Sequence, residues 1–519
     1  MSSDRSPVGS GSTTHDSDDP EATEQVDVLI VGAGISGIGI AHHLQKEHPS
    51  KSYAILEGRD ALGGTWDLFR YPGIRSDSDL HTFGYSFKPW VEDRVIADGP
   101  SILRYINDTA RERRIDRSVR LGHRVHSASW SSEEQRWTVE AEQTATGERK
   151  RFCARWLFGA CGYYRYDQGY TPELPGVNRY DGQIIHPQFW PEDLDCTAKR
   201  VLVIGSGATA VTIVPAIADA TAHVTMLQRT PSYVMSIPAV DPLTTWLERR
   251  FGAERMHRIA REKNIRLGTL VYRLCRRYPK LMRRLLRSGV VRALPADFDV
   301  DTHFNPPYNP WDQRLCLVPD GDLFETISAG KASLVTDRIS TFTKTGVLLE
   351  SGTEIEADII VTATGLQLLA FGGITLTVDG IEVSLPDTFT YKGMMLTGVP
   401  NFAYLLGYTN ASWTLRVDLV GNHFSRLLSL MDEHHYGQCI PEAPPADSIA
   451  RPLLEFDAGY VSRSVDQFPR QSSGAPWELS MNYVRDRRTM RHGPVGDHLR
   501  FTTATPEAKR SSDASKTAA

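Results

Sequence analysis

Val201-Leu-Val-Ile-Gly205-Ser206-Gly207-Ala208-Thr209-Ala210 decides how the rest of the chain is read. Four apolar residues of strand type run into two glycines one residue apart, and small residues then open a helix. A strand, tight turn and helix start in that order present free backbone N–H groups and a positive dipole end to an anion. A sister stretch stands earlier, Val26-Asp-Val-Leu-Ile-Val31-Gly32-Ala-Gly34-Ile-Ser36-Gly37. There the first glycine permits the turn, the second lets backbone approach a pyrophosphate, and Gly37 lets the helix pack close to its strand. Ala210 is the small residue in that third position of the second motif. Two such motifs predict an α/β fold with two Rossmann-like dinucleotide-binding domains. Two nucleotides in one chain imply electron transfer between them.

The residue ending each following strand separates the two sites. Tyr53-Ala-Ile-Leu-Glu57 ends in a carboxylate, which suits a free ribose 2′-hydroxyl. Ala222-His-Val-Thr-Met-Leu-Gln228-Arg229 ends in a cation, which suits the added phosphate of NADP. The first site therefore reads as FAD and the second as NADPH, with an ordinary surface cation as the plainer reading of Arg229. Between the motifs, Gly63-Gly-Thr65-Trp66-Asp67-Leu68-Phe-Arg70-Tyr-Pro-Gly-Ile-Arg75-Ser76-Asp77 is a loop crowded with aromatic and charged side chains. Such loops carry function more often than packing. Tyr308-Asn-Pro-Trp311-Asp-Gln313-Arg314-Leu-Cys316 is a second loop of the same kind. Periodicity predicts a helix over 101–109, strands at 124–126 and 137–140, and another ending at Ala160-Cys161-Gly162. A last strand over 355–361 is expected to return the chain to the first domain. Gly407–Arg416 reads either as a segment closing over a ligand or as a plain loop-to-helix junction.

A chain of 519 residues exceeds one ordinary core, so two or more domains are expected. A net charge of -5 predicts no global attraction to nucleic acid, and no apolar run is long enough to span a bilayer. Six cysteines without a C-x-x-C pair fit neither a disulfide framework nor a zinc site, and suggest a reducing, cytoplasmic compartment. The same absence argues against a disulfide reductase, which shares the two-nucleotide architecture. The first two dozen residues and those from Thr503 onward have the composition of disordered tails. Between Leu243 and Leu294 stand fifteen Lys and Arg against three acids, at helical spacing with Leu and Met. This is either a solvated helical insertion or a patch that rests weakly on the inner face of an anionic membrane.

Tyr180-x-Gly182-x-x-x-His186-x-x-x-Trp190-Pro191, standing between the two glycine motifs, resembles the fingerprint of the type I Baeyer–Villiger monooxygenases among the class B flavin monooxygenases. Tyr180 replaces the family's leading Phe. Segments 63–86, 186–195, 205–229, 309–324 and 407–415 look like the mycobacterial FAD-containing monooxygenases that include the ethionamide activator. The resemblance covers Val26 to about Asp486. It implies a monooxygenase that uses FAD, NADPH and O2, and inserts one oxygen atom through a C4a-peroxyflavin. Ketones would become esters or lactones and sulfides or thioamides would be oxidised, with a dedicated S- or N-oxygenase as the alternative.

The resemblance places Ser36, Glu57, Thr65 to Leu68, Asp77 and the Val125 backbone on FAD. It places Arg75 to Asp77, Gly205 to Val211, Gln228 and Arg229 on NADPH. Arg314 matches the family's active-site arginine, which Asp77 orients, and Gln313 stands where many relatives carry a lysine. His186 reads as a fixture of the inter-domain linker rather than a general base. The expected division is a tail over 1–24, the FAD domain over 25–165 and 346–502, the NADP domain over 166–345 with its insertion at about 243–294, and a tail over 503–519.

Overall fold

The computed structural model describes residues 23–90, 94–241, 250 and 252–505. The tail readings for 1–22 and 506–519, and the insertion reading for 243–249, lie outside them. Strand β1 (Glu24–Val31) is parallel to β2 (Tyr53–Leu56), which in turn is parallel to the short β3 (Val119–Arg120). Val28, Leu29 and Ile30 have no solvent exposure, because helices cover one sheet face and further strands the other. Antiparallel β4 (His123–Ser131), β5 (Arg136–Gln143) and β6 (Arg149–Gly159) continue the sheet, with β6 returning parallel to β1. Helix α1 (Ile35–Glu47) follows the first glycine turn.

The second nucleotide domain is a five-stranded, wholly parallel sheet. It holds β7 (Gln183–Ile185), β8 (Arg200–Ile204), β9 (His223–Gln228), β10 (Ala332–Thr336) and β11 (Ile359–Thr362). Helix α2 (Ala208–Ile217) follows β8. The single strand expected over 355–361 is two separate elements. Glu354–Glu356 closes a small antiparallel sheet, and β11 lies between β8 and β7. Pairing of Ile359 to Thr362 with Val201 to Ile204 therefore holds the chain in the second sheet well past the expected boundary at 345. At the far ends, Glu24 already lies in β1, and Leu499–Thr503 pairs with Tyr436–Pro441, so the sheets reach slightly into both expected tails.

The basic insertion forms helices α3 (Ala253–Arg277) and α4 (Pro279–Ala293). Pro279 starts α4 where Tyr278 leaves helical geometry. Arg261 pins α3 to the body through the backbone carbonyls of His81, Thr82 and Gly84 and the buried carboxylate of Asp418. Helix α5 (Trp413–Glu433) lies along α1, and two glycines permit the approach. A Cβ on Gly39 would stand 2.3 Å from Val417, and one on Gly421 would stand 2.4 Å from His43.

Candidate active site

Both glycine turns are built in the same way. Gly32 has φ +106°, and a Cβ there would stand 2.7 Å from the Ala160 carbonyl oxygen, just past β6. Gly205 has φ +148°, and a Cβ there would stand 2.3 Å from the Ala363 carbonyl oxygen, just past β11. Only glycine fits either corner. A Cβ on Gly37 would meet the Gly32 carbonyl oxygen at 1.9 Å, so that residue sets how closely α1 packs against its own turn. Gly34 and Gly207 occupy the N-cap positions of α1 and α2, with no side-chain cap and no acid in the first turn. Those helix ends suit an anion, and at the second turn space is left for one, since nothing stands within 4 Å of a Cβ built on Gly207. The residues present fit a dinucleotide pyrophosphate at each turn.

Both turns open into one cavity of about 1360 Å³. Among the expected site residues, Gly32, Gly34, Ser36, Glu57, Thr65, Trp66 and Val125 line it on the first side. Arg75, Ser76, Asp77 and Arg314 line its middle, and Gly205 to Thr209, Val211 and Arg229 line the second side. Glu57 is 6% exposed and accepts hydrogen bonds from the backbone N–H groups of Ala33 at 2.7 Å and Arg59 at 3.0 Å. Burial pushes its carboxyl above the usual range, outweighing the N–H groups that favour the anion. Ser36 is reached from α5, where the Trp413 indole N–H donates to its Oγ at 2.7 Å.

Five of the expected residues stand behind the cavity wall. Gly37 and Ala210 pack within their helices. Leu68 joins a small core with Phe69 and Ile74. Asp67 turns inward to Arg59 at 2.6 Å and Arg70 at 3.0 Å, because a carboxylate this buried requires cationic partners. Gln228 is fixed by donating to the His303 carbonyl oxygen at 2.7 Å and Thr336 Oγ1 at 2.9 Å. The side chains of Asp67 and Gln228 are thus engaged by neighbouring protein groups behind the wall.

The two charged loops meet across the cavity. Arg314 Nε donates to Asp77 Oδ2 at 2.6 Å, Nη2 stands 2.5 Å from the same oxygen, and Nη1 donates to the Thr409 carbonyl oxygen at 3.3 Å. Burial works against the guanidinium charge, but the Asp77 carboxylate, with the phenolic groups of Tyr460, Tyr163 and Tyr164, outweighs it, so its pKa rises further. Arg75 is bridged to Asp322, with Nη2 at 3.2 Å from Oδ1. Asp322 and the three tyrosines escaped the sequence reading. Tyr163 and Tyr164 directly follow the strand end at Ala160-Cys161-Gly162, a usable signal, whereas only folding brings Tyr460 and Asp322 near.

His186 lies outside the cavity. Its Nε2 sits 3.2 Å from the Gly365 carbonyl oxygen, and its Nδ1 accepts from the Gln188 N–H at 3.2 Å. Gln188 in turn donates to the carbonyls of Arg165 and Tyr166, both at 2.9 Å. The fingerprint thus ties together the two strands of chain that cross between the sheets, and burial lowers the imidazole pKa away from charge.

Two Rossmann turns sharing one cavity, with an arginine–aspartate pair between them, are the architecture of an oxidoreductase that handles two dinucleotides. Residues 99–394 match the family of flavin-binding monooxygenase-like proteins, and residues 30–95 match the NAD(P)-binding Rossmann-like domain. The chain belongs to the flavin-binding monooxygenase-like family. It is 53% identical over 482 residues to the FAD-containing monooxygenase EthA of Mycolicibacterium smegmatis, covering 92% of this chain and 98% of that one. With EthA of Mycobacterium tuberculosis it shares 53% identity over 481 residues, with the same coverage. A solved steroid monooxygenase bound to NADP has the same fold at a TM-score of 0.72 and 23% identity, covering 92% of this chain and 100% of that one.

The second turn gives a direct test. Gly205→Ala combines a disfavoured φ with a backbone clash. At about 1–3 kcal/mol of local strain, the KM for NADPH is expected to rise roughly tenfold to a hundredfold. FAD content, read from flavin absorbance, is expected to stay unchanged.

Proposed function

We propose that the chain is an NADPH- and O2-dependent FAD monooxygenase of the Baeyer–Villiger type, which converts ketones to esters or lactones and oxidises sulfur compounds. The Arg314–Asp77 pair, set where the two nucleotide crevices meet, carries this reading. FAD at the first turn and NADPH at the second would supply reducing equivalents and an activated oxygen atom to a substrate in the shared cavity. Gly32, Gly34 and the open end of α1 would hold the first pyrophosphate, with Glu57 on its ribose. Gly205, Ser206, Gly207 and the open end of α2 would hold the second, with Arg229 on the 2′-phosphate.

Arg314 does the electrostatic work. A ketone that gains an oxygen nucleophile develops negative charge on its carbonyl oxygen, and a fixed cation nearby stabilises that charge. Arginine keeps its proton at any working pH, where a buried lysine can lose one. Asp77 holds Nε and one side of the fork, and Thr409 holds Nη1, so the guanidinium plane is set before substrate arrives. Tyr163, Tyr164, Tyr460 and Trp413 wall the cavity and limit water around it. The linker contacts of His186 and Gln188 support a hinge between the two sheets rather than proton transfer. Six free cysteines support a reducing cytoplasmic setting.

Substrate-dependent NADPH oxidation matched by oxygen uptake, with a phenyl ketone and an aryl sulfide as parallel substrates, tests the reading. Ester from the ketone supports it, and sulfoxide without ester points to a dedicated heteroatom oxygenase. Arg229→Glu is expected to lower the preference for NADPH over NADH by about tenfold to a hundredfold, the worth of one charge-assisted contact. An unchanged ratio of kcat/KM values would remove Arg229 from the phosphate site.

A further inference from the structure

The α3–α4 hairpin has two different cationic faces. Toward the body, Arg276 pairs with Asp312 at 2.5 Å, Arg287 with Asp301 at 2.7 Å, and Arg283 donates to Asn305 at 3.0 Å. Facing away, Arg273, Arg277, Lys280 and Arg284 are exposed, and among the described residues no carboxylate pairs with them. Beside them stand Leu267, Leu270, Tyr278, Leu281 and Leu285, each more than half exposed, with Leu285 at 56%. Leu267 and Leu270 share a face of α3 at i, i+3, and Leu281 and Leu285 share a face of α4 at i, i+4. Residues 253–293 contain thirteen Lys and Arg against two Glu, in a chain whose net charge is -5. The positive charge is concentrated here, and so are the exposed leucines.

We propose that this hairpin is a peripheral docking surface for an anionic lipid bilayer. Neither half of the pattern is explained by the fold, and the two together match one partner. A polyanion such as nucleic acid would use the cations but has no use for exposed leucines. An acyl–headgroup boundary uses both: leucines enter the apolar layer, while Arg and Lys stems extend to the phosphates. The anchorage of Arg261 on three backbone carbonyls makes the hairpin a fixed platform on the body.

Docking also reaches the active site. The Tyr272 ring lies edge-on to Trp311 at 5.5 Å, and Arg276 holds Asp312, so α3 rests on the loop that carries Arg314. The surface would set the cavity beside the bilayer, where apolar ketones and sulfur compounds concentrate. Only this delivery step rests on the proposed activity; the lipid contact does not.

Flotation of the FAD-loaded full chain with vesicles of phosphatidylcholine alone, or mixed with phosphatidylglycerol, tests the contact. Recovery is expected with the anionic vesicles and to be at least roughly tenfold lower with neutral ones or at high salt. The pair Arg277→Glu/Arg284→Glu and the pair Leu281→Ser/Leu285→Ser are each expected to abolish flotation. Both pairs are expected to leave turnover of a small water-soluble ketone unchanged, which separates this test from that of the activity. Equal recovery with both vesicle types, or no recovery with either, would overturn the proposal. Flotation that survives the Leu→Ser pair would overturn it too, because the surface would then bind anions without entering lipid.

Discussion

Replacing Arg314 with Ala is expected to lower ester formation about 10²–10³-fold, the usual cost of removing one pre-set donor from a developing oxyanion. FAD content is expected to stay at the wild-type level, because of the groups expected on FAD only Asp77 is hydrogen-bonded to Arg314. The loss should appear in kcat and kcat/KM alike, the signature of an interaction made in the transition state. Arg314→Lys would keep a charge but lose the planar fork that meets Asp77 Oδ2 and the Thr409 carbonyl together. It is therefore expected to recover only part of the rate. NADPH oxidation and ester yield, measured on the same samples, check this. Ester formed at the wild-type rate by the Ala variant would remove Arg314 from the chemistry.

What the sequence disclosed depends on the range of the physics. Both glycine turns were legible because they are local: a strand end, a positive φ and a helix start fall within ten residues. The positions of Glu57 and Arg229 were legible for the same reason, each at the end of the next strand and on the cavity wall. The site residues themselves were reachable only through resemblance. Asp77 and Arg314 are 237 positions apart, and no local rule joins them. Asp67 shows what a motif position alone does not tell. It lies in the expected loop, yet its carboxylate faces Arg59 and Arg70, because side-chain direction follows the local backbone rather than the motif. The boundary near 345 was missed because an apolar strand does not declare its partner. Ile359 to Thr362 reads as well for one sheet as for the other until pairing with β8 is seen. The insertion's charge was plain, but the division between inner cations with partners and outer ones that no carboxylate pairs among the described residues needed the folded hairpin.

Arg416→Ala is expected to cost about 3–5 kcal/mol of stability, because it strands a buried carboxylate. Arg416 and Asp486 are 1% and 7% exposed and form a direct ion pair joining α5 to the C-terminal region. Arg416 Nη2 also donates to the Lys392 carbonyl oxygen at 2.7 Å, and Tyr408 donates to Asp486 Oδ2 at 2.7 Å. The fit is tight: a Cβ on Gly393, which has φ +61°, would stand 2.3 Å from that guanidinium. Burial opposes the charge, and the Asp486 carboxylate more than compensates, so the guanidinium pKa still rises. A pair of this kind adds little net stability over a well-packed apolar pair, but breaking one side is costly. Thermal and urea unfolding should therefore show a large loss for Arg416→Ala, and a much smaller one for Arg416→Met combined with Asp486→Leu. Similar losses in both would mean that backbone contacts, not the unpaired charge, set the cost. The effect should reach activity as well. Tyr408 lines the cavity, and the next residue supplies the Thr409 carbonyl that holds Arg314. Below the unfolding temperature, Arg416→Ala is expected to lower ester formation more than it lowers FAD content, because what it loosens first is the orientation of the Arg314 guanidinium.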